Sequence, residues 1–254
     1  MPFEYRSFRA RTRQQSAVQS HFYGVGNKAV EEAGGRIVGV FSGFIGQSPD
    51  EGFILTHWPT LELAVRNGRN VLTNSSEFLL SSDVLGYFEP ASSVRPSPPE
   101  GEIVNVLDAD GRFSRDAFVA GVVAHRIFHV VDDRLDEHRR LSESAWPGFE
   151  GNFPCRVFAY LREIGGNYPD TRILLLTFYS SVSVWEDSRM GISSTGLPPQ
   201  GQADQAVLNA RTLQTRQLSE GEKTAKNAFV KRQEMVNWTS VSLTKICLPP
   251  ANRH

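Results

Sequence analysis

The spacing of apolar and polar residues divides the chain into two runs with the same order of elements. Phe3 to Ala10 alternates and carries aromatics, which predicts a strand. Ala17, Val18, His21, Phe22, Val25 and Ala29 share one helical face, so a helix is expected from a Thr12 cap to about Ala33. Gly34-Gly35 supplies a left-handed C-cap. Arg36 to Ile45 reads as a long strand, Gln47 to Gly52 as a hairpin turn, and Phe53 to Trp58 as the return strand. Pro59 suits the first turn of a second helix, and a short last strand is expected after it.

The second run repeats this order. Val122 to Val131 is a β-branched, aromatic strand. Asp132 or Asp133 caps a helix containing Leu135, His138, Leu141 and Trp146. Pro154 to Gly165 reads as a strand, Gly166 to Asp170 as the turn, and Arg172 to Tyr179 as the return strand. A helix follows through Val184 and Trp185. Ala203, Ala206, Val207, Ala210 and Leu213 stripe another helix, and Asn237 to Leu248 alternates like a final strand. A Pro- and Ser-rich connector spans 89–101, and 190–202 reads as a second loop.

An ungapped offset of 120 superposes residues 3–67 on the second run. Arg6 falls on Arg126, Phe8 on Phe128, Arg36 on Arg156, Gly46 on Gly166, Pro49 on Pro169, Asp50 on Asp170 and Leu55 on Leu175. The expected organisation is therefore one unit over 1–101 and a second over 102–254. Each unit would form a four-stranded antiparallel sheet with helices on one side. The open faces bury each other when packed together, and fusion makes that pairing intramolecular. The interior and mouths of such a structure favour small-molecule sites.

Charge and composition narrow the classes. A net charge of −1 gives no electrostatic footprint for nucleic acid. The cluster Arg6, Arg9, Arg11 and Arg13 reads as a solvated strand edge and helix start. The first residues lack the apolar core of a secretory signal, and no apolar run reaches membrane-spanning length, so no membrane partner is expected. Cys155 and Cys247 read as buried thiols in a reducing cytoplasm.

Several residues could carry chemistry. Glu4 and Arg6 share one strand face, where an Arg fork beside a carboxylate could hold a substrate anion or tune Glu4 as a base; a structural ion pair is the alternative. His125 and His129 share the opposite face of the second unit's first strand. Their Cβ atoms would lie about 13 Å apart, too far to share a metal. Either could be a general acid/base or a lone axial haem ligand, or a structural histidine. Two rival faces thus compete to line a pocket: Glu4, Arg6 and Phe8 with Arg126 and Phe128, or Tyr5, Ser7 and Arg9 with His125 and His129. His57-Trp58 lies at a strand end opposite Thr177-Phe178, one copy having an imidazole where the other has a hydroxyl. Tyr160, Arg162 and Arg172 are further polar candidates. Gly24-Val-Gly26 lacks the context of a nucleotide fingerprint, and no metal motif or nucleophile elbow occurs.

The opening segment Phe3-Glu-Tyr-Arg-Ser-Phe8 resembles the first strand of NIPSNAP-domain proteins, aromatic-Glu-Leu-Arg-Thr-Tyr. Gly34-Gly-Arg-Ile-Val-Gly39 with Phe41 and Ile45-Gly46 resembles the family's Gly-Gly-x-x-Val-Gly strand, and Trp58-Pro-Thr-Leu61 sits at its Tyr-x-Ser-Leu. In the second unit Arg126 and Phe128 keep the pattern and Ala124 replaces the Glu. The resemblance implies an α+β fold: two tandem ferredoxin-like units forming an intramolecular dimeric α+β barrel. It slightly favours the Glu4/Arg6 face as pocket lining.

The resulting expectation is a small-molecule enzyme using metal- and nucleotide-independent acid/base chemistry on a hydrophobic organic substrate: isomerisation, cyclisation, dehydration or cofactor-free oxygenation. His125, His129, His57 and Glu4 are the candidate catalytic groups. Arg6, Arg126, Phe8, Phe128, Trp58 and Tyr160 are the candidate substrate contacts. No cofactor is expected; a haem barrel, or a non-catalytic ligand-binding or scaffold protein, is the alternative. The chain would be a monomeric pseudo-dimer or a homodimer.

Overall fold

A computed structural model describes residues 1–73, 78–95, 103, 107, 111–166, 169–190 and 220–248. The first unit contains β1 (Phe3–Ala10), α1 (Gln15–Tyr23), α2 (Val25–Glu32), β2 (Arg36–Ile45), β3 (Glu51–His57), α3 (Leu61–Thr73) and β4 (Leu79–Pro90). After α4 (Arg115–Ala120), the second unit contains β5 (Val122–Val131), α5 (Leu135–Asn152), β6 (Cys155–Glu163), β7 (Asp170–Tyr179), α6 (Val182–Met190), α7 (Glu220–Gln233) and β8 (Val236–Ile246). The order strand–helix–strand–strand–helix–strand thus occurs in both halves.

The helix expected from Thr12 to Ala33 is two helices broken at Gly24. Thr12 does not cap the first; Gln14 stands at that position without a side-chain bond. Gly34 does take the left-handed conformation, at φ 88°. Thr60 Oγ1 accepts from Leu63 N at 3.2 Å and so caps α3 one residue after Pro59. β4 is a full strand of 12 residues rather than a short one. A 3-10 turn, Asp132–Arg134, carries the chain from β5 into α5. The stripe over 203–213, the loop over 190–202 and most of the connector lie outside the described residues.

The eight strands close into an antiparallel barrel in the order β1-β3-β2-β8-β5-β7-β6-β4. Each half contributes four neighbouring strands. Closure comes from β2 on β8, where Phe41 faces Ile246, and from β4 on β6, where Pro90 faces Leu161. Every strand thereby gains pairing on both sides over part of its length, which removes open sheet edges there. Helices pack on the outside.

Strand registers coincide between the units, with one exception. Ile37 faces Thr56 and Val157 faces Thr177, and both second strands carry an irregularity one residue later. On the third strands the correspondence moves by one residue: Phe3 faces His57, whereas Val123 faces Phe178. The ungapped sequence match therefore fails there. His57 corresponds in space to Phe178, not to Thr177, and Thr177 corresponds to Thr56.

Alternation places every second strand residue inside. Phe3, Tyr5, Phe41, Phe53 and Phe88 meet Val123, Phe158, Leu174, Leu176 and Phe178 in one interior cluster. Ile103 and Leu107, just after the connector, belong to the same cluster with Phe113 and Phe118. Gly39 is required at this junction: a Cβ there would come 2.3 Å from Ile103 Cδ1.

Candidate functional site

The barrel interior contains a buried polar chain at its centre. Tyr5 and His125 occupy matching positions on the first strands of the two units, and Tyr5 Oη lies 3.0 Å from His125 Nδ1. On the other side of the ring, His125 Nε2 lies 3.0 Å from Thr244 Oγ1, which also reaches Val123 O at 3.3 Å. One proton arrangement satisfies all three contacts. Thr244 donates its single proton to Val123 O, so it accepts from His125 Nε2–H. The Nδ1 lone pair then accepts from the Tyr5 hydroxyl. The imidazole is thereby the neutral Nε2–H tautomer.

The surroundings hold that state. His125 is only 2% exposed and Tyr5 only 1%. The imidazole stacks on Phe53 with centroids 4.8 Å apart and meets Phe41 edge-on at 4.6 Å; the Tyr5 ring stacks on Phe53 at 5.0 Å. Burial among these rings lowers the His125 pKa to about 3 and pushes the Tyr5 hydroxyl well above its ordinary value. Both groups are neutral over the physiological range.

The rival face points away from the barrel. Glu4, at 0% exposure, accepts from Arg6 Nε at 2.7 Å. Arg6 also donates to Gly68 O at 2.9 Å and to Ser82 Oγ at 3.3 Å, tying β1 to α3 and β4. Burial raises the Glu4 pKa, and the Arg6 charge opposes that rise. The geometry is that of a structural ion pair under a helix. Phe8 packs in the helix layer beside Phe22, and Trp58 is buried in that layer. The lean towards this face as pocket lining is therefore corrected: even-numbered β1 residues serve the sheet–helix interface, where Arg6, Phe8 and Trp58 do not reach the barrel interior. On β5, Phe128 likewise packs with Trp146 and Val157 outside the barrel, and the Arg126 guanidinium lies 5.7 Å from the Phe128 ring.

The remaining candidates are dispersed. His129 shares the His125 face but lies further along β5, against the exposed Trp238 ring at 5.0 Å. His57 packs on Phe3 at 5.5 Å; burial, then the N-terminal charge and Arg36, lowers its pKa. Tyr160 is buried outside the barrel, its hydroxyl 2.7 Å from His138 Nδ1. It lines a cavity of about 300 Å³ between the end of β4 and the start of α5. Among the described residues no cluster of three His, Cys, Asp or Glu could hold a metal ion. Likewise, no described helix is long and apolar enough to cross a membrane.

Thr244 carried no sequence signal as a partner of His125, because it comes from the last strand. His138, expected only as one residue of a helix, is a buried partner of Tyr160. Tyr5 was legible through its offset from His125.

No family model matches the chain, and no curated protein matches it. Solved structures do. A candidate monooxygenase from Lactobacillus acidophilus NCFM superposes with TM-score 0.53 at 6% identity, covering 97% of this chain and 94% of that one. An anthrone oxidase-like protein superposes with TM-score 0.52 at 15% identity, covering 96% and 90%. A chlorite dismutase variant from Candidatus Nitrospira defluvii gives TM-score 0.47 at 9% identity, covering 96% and 91%. The closed antiparallel barrel and the first two of these likenesses give the chain a dimeric α+β barrel fold.

Proposed function

We propose that the protein acts on a flat, hydrophobic organic substrate by metal- and nucleotide-independent acid/base chemistry, with Tyr5 and His125 as the proton-handling pair. The observation that carries this reading is their hydrogen bond of 3.0 Å inside the barrel, joining the two units at equivalent positions. The stacked Tyr5, Phe53 and His125 rings surround the pair with aromatic carbon, in keeping with a hydrophobic substrate. The fold likeness to an anthrone oxidase-like protein is in keeping with a polycyclic guest.

The proton path follows from the tautomer. Tyr5 oxygen takes a proton from an acidic substrate C–H as its own proton passes to His125 Nδ1. The products are a substrate enolate and an imidazolium, with Tyr5 again a phenol that donates to the enolate oxygen. With the histidine pKa at about 3, a lone imidazolium at pH 7 would cost about 5 kcal/mol. The step therefore requires the enolate to form with the cation, as an ion pair in the dry interior. Isomerisation, cyclisation or dehydration of the enolate would follow from the substrate's own reactivity, and oxygenation from its reaction with dissolved dioxygen as the oxidant.

A haem does not fit at His125. Both ring nitrogens are engaged and the ring lies between Phe41 and Phe53. A second reading, a non-catalytic ligand-binding or scaffold protein related to the NIPSNAP family, is favoured by the close packing of aromatic side chains in the interior and by the cavity's position outside it. The unlinked, buried Cys155 and Cys247 are in keeping with a reducing cytoplasm, and a barrel whose eight strands all come from one chain is in keeping with a monomer.

Deuterium exchange at the acidic C–H of anthrone, followed by NMR, tests the proposal. Catalysed exchange that is lost in Tyr5→Phe and His125→Gln is expected. No catalysis by the unaltered protein would overturn it and leave the second reading; equal catalysis by all three would overturn the role given to Tyr5 and His125.

A further inference from the structure

We propose that the cavity between the end of β4 and the start of α5 is a binding site for a small organic carboxylate, separate from the barrel interior, with Arg139 and Arg162 as its charged contacts. Its volume of about 300 Å³ lies at the lower end of the range for small-molecule pockets. Leu135, Ile173, Pro90 and Ala91 give it apolar walls, and two guanidiniums, Arg139 and Arg162, outnumber the one lining carboxylate, Asp136.

The wall is held in place by hydrogen bonds. Ala91 N donates to Tyr160 O at 3.0 Å, extending the β4–β6 pairing by one residue. Glu143 on α5 accepts from Ser92 Oγ at 2.9 Å and from Ser93 N at 3.1 Å. The segment that closes the cavity is thus tied to both the sheet and the helix.

Tyr160 is fixed as a wall of the cavity by the polar groups behind it. The His138 ring behind it has Nδ1 on the Tyr160 hydroxyl, while its buried Nε2 has no partner among the described residues. A neutral imidazole has one N–H, and a buried N–H left unmet is rarer than a buried lone pair. The proton therefore sits on Nδ1 and is given to Tyr160 oxygen. This leaves the Tyr160 O–H for another acceptor. Ser142 Oγ, which donates to His138 O at 2.7 Å and accepts from Arg232 Nη1 at 3.0 Å, keeps one lone pair for that proton.

The charges favour an anion. Arg139 pairs with Asp136 at 3.2 Å and Arg162 with Glu89 at 3.1 Å, and all four side chains are at least a third exposed. Water screens these pairs, so a guest carboxylate can share either guanidinium. Behind Tyr160 lies Arg232, which is buried and forms no ion pair among the described residues. Its guanidinium lies 4.7 Å from the Phe128 and Phe229 rings, and burial, then Arg126, lowers its pKa to about 9.

Titration calorimetry with phenylacetate and its neutral isostere phenylacetamide tests the site. Saturable phenylacetate binding is expected, with phenylacetamide at least tenfold weaker. Arg139→Ala and Arg162→Ala, both at exposed positions that leave folding intact, should each weaken phenylacetate roughly tenfold, the effect of one charge-assisted hydrogen bond. His125→Gln should leave it unchanged. Equal affinity for acid and amide, no saturation at millimolar ligand, or loss in His125→Gln with both Arg variants unaffected would each overturn the proposal. The last result would place binding in the barrel.

Discussion

Acidification should destabilise the protein through His125 by an amount the structure specifies. The imidazole titrates near 6.5 when unfolded and near 3 when buried in the barrel. The folded state therefore binds fewer protons than the unfolded state between those values. Stability from the neutral ring is fully present above pH 6.5 and is lost as pH falls towards 3. At pH 4.5 the unfolded imidazole is two pH units below its pKa while the folded one is still neutral. The loss from this residue is then about 3 kcal/mol. Urea unfolding at pH 7 and pH 4.5 measures it, with His125→Gln as the control. Carboxylates and His138 titrate in both proteins and cancel in the comparison. The unaltered protein should lose about 3 kcal/mol more than the variant over this interval. A difference under about 0.5 kcal/mol would mean that His125 is protonated or exposed in the fold, and the neutral tautomer would fall with it.

Two further outcomes test the helix-facing pair. Arg6→Ala leaves the Glu4 carboxylate buried without its cation, so a loss of about 3–5 kcal/mol is expected in chemical denaturation, and pairing the change with Glu4→Gln should recover part of it. Gly68→Ala, which usually stabilises a helix by about 1 kcal/mol, should destabilise this one, because the new Cβ would lie 1.9 Å from Glu4 Oε2; an unchanged or raised melting temperature would contradict that packing.

The strands were the most legible part of the chain because each carries its own signal. β5 matches its expected bounds, Val122 to Val131, since β-branched and aromatic residues fill it. The helices were less legible. The break at Gly24 and the helices at 115–120 and 220–233 went unread; α7 has few apolar residues to mark a buried face, and its burial is supplied by contact with α5. The ungapped offset found Tyr5 opposite His125 because the first strands have no insertion between them. It misplaced His57 against Thr177 because the second unit takes one more residue before its third strand, and a gapless comparison cannot register that.

Local pattern alone determined that the chain alternates strands and helices in two similar runs, because periodicity and turn chemistry act over neighbouring residues. It also determined that Glu4 shares a face with Arg6, and His125 a face with His129. Which face lines the barrel was not written in either strand, since both carry polar and aromatic residues. Tertiary structure decided it. Helices α1 to α3 cover the Glu4/Arg6 side, and closure of the barrel turns Tyr5 and His125 towards each other. Thr244 completes that chain from 119 residues away. Long-range strand pairing alone brings such positions together, and neither composition nor periodicity encodes it.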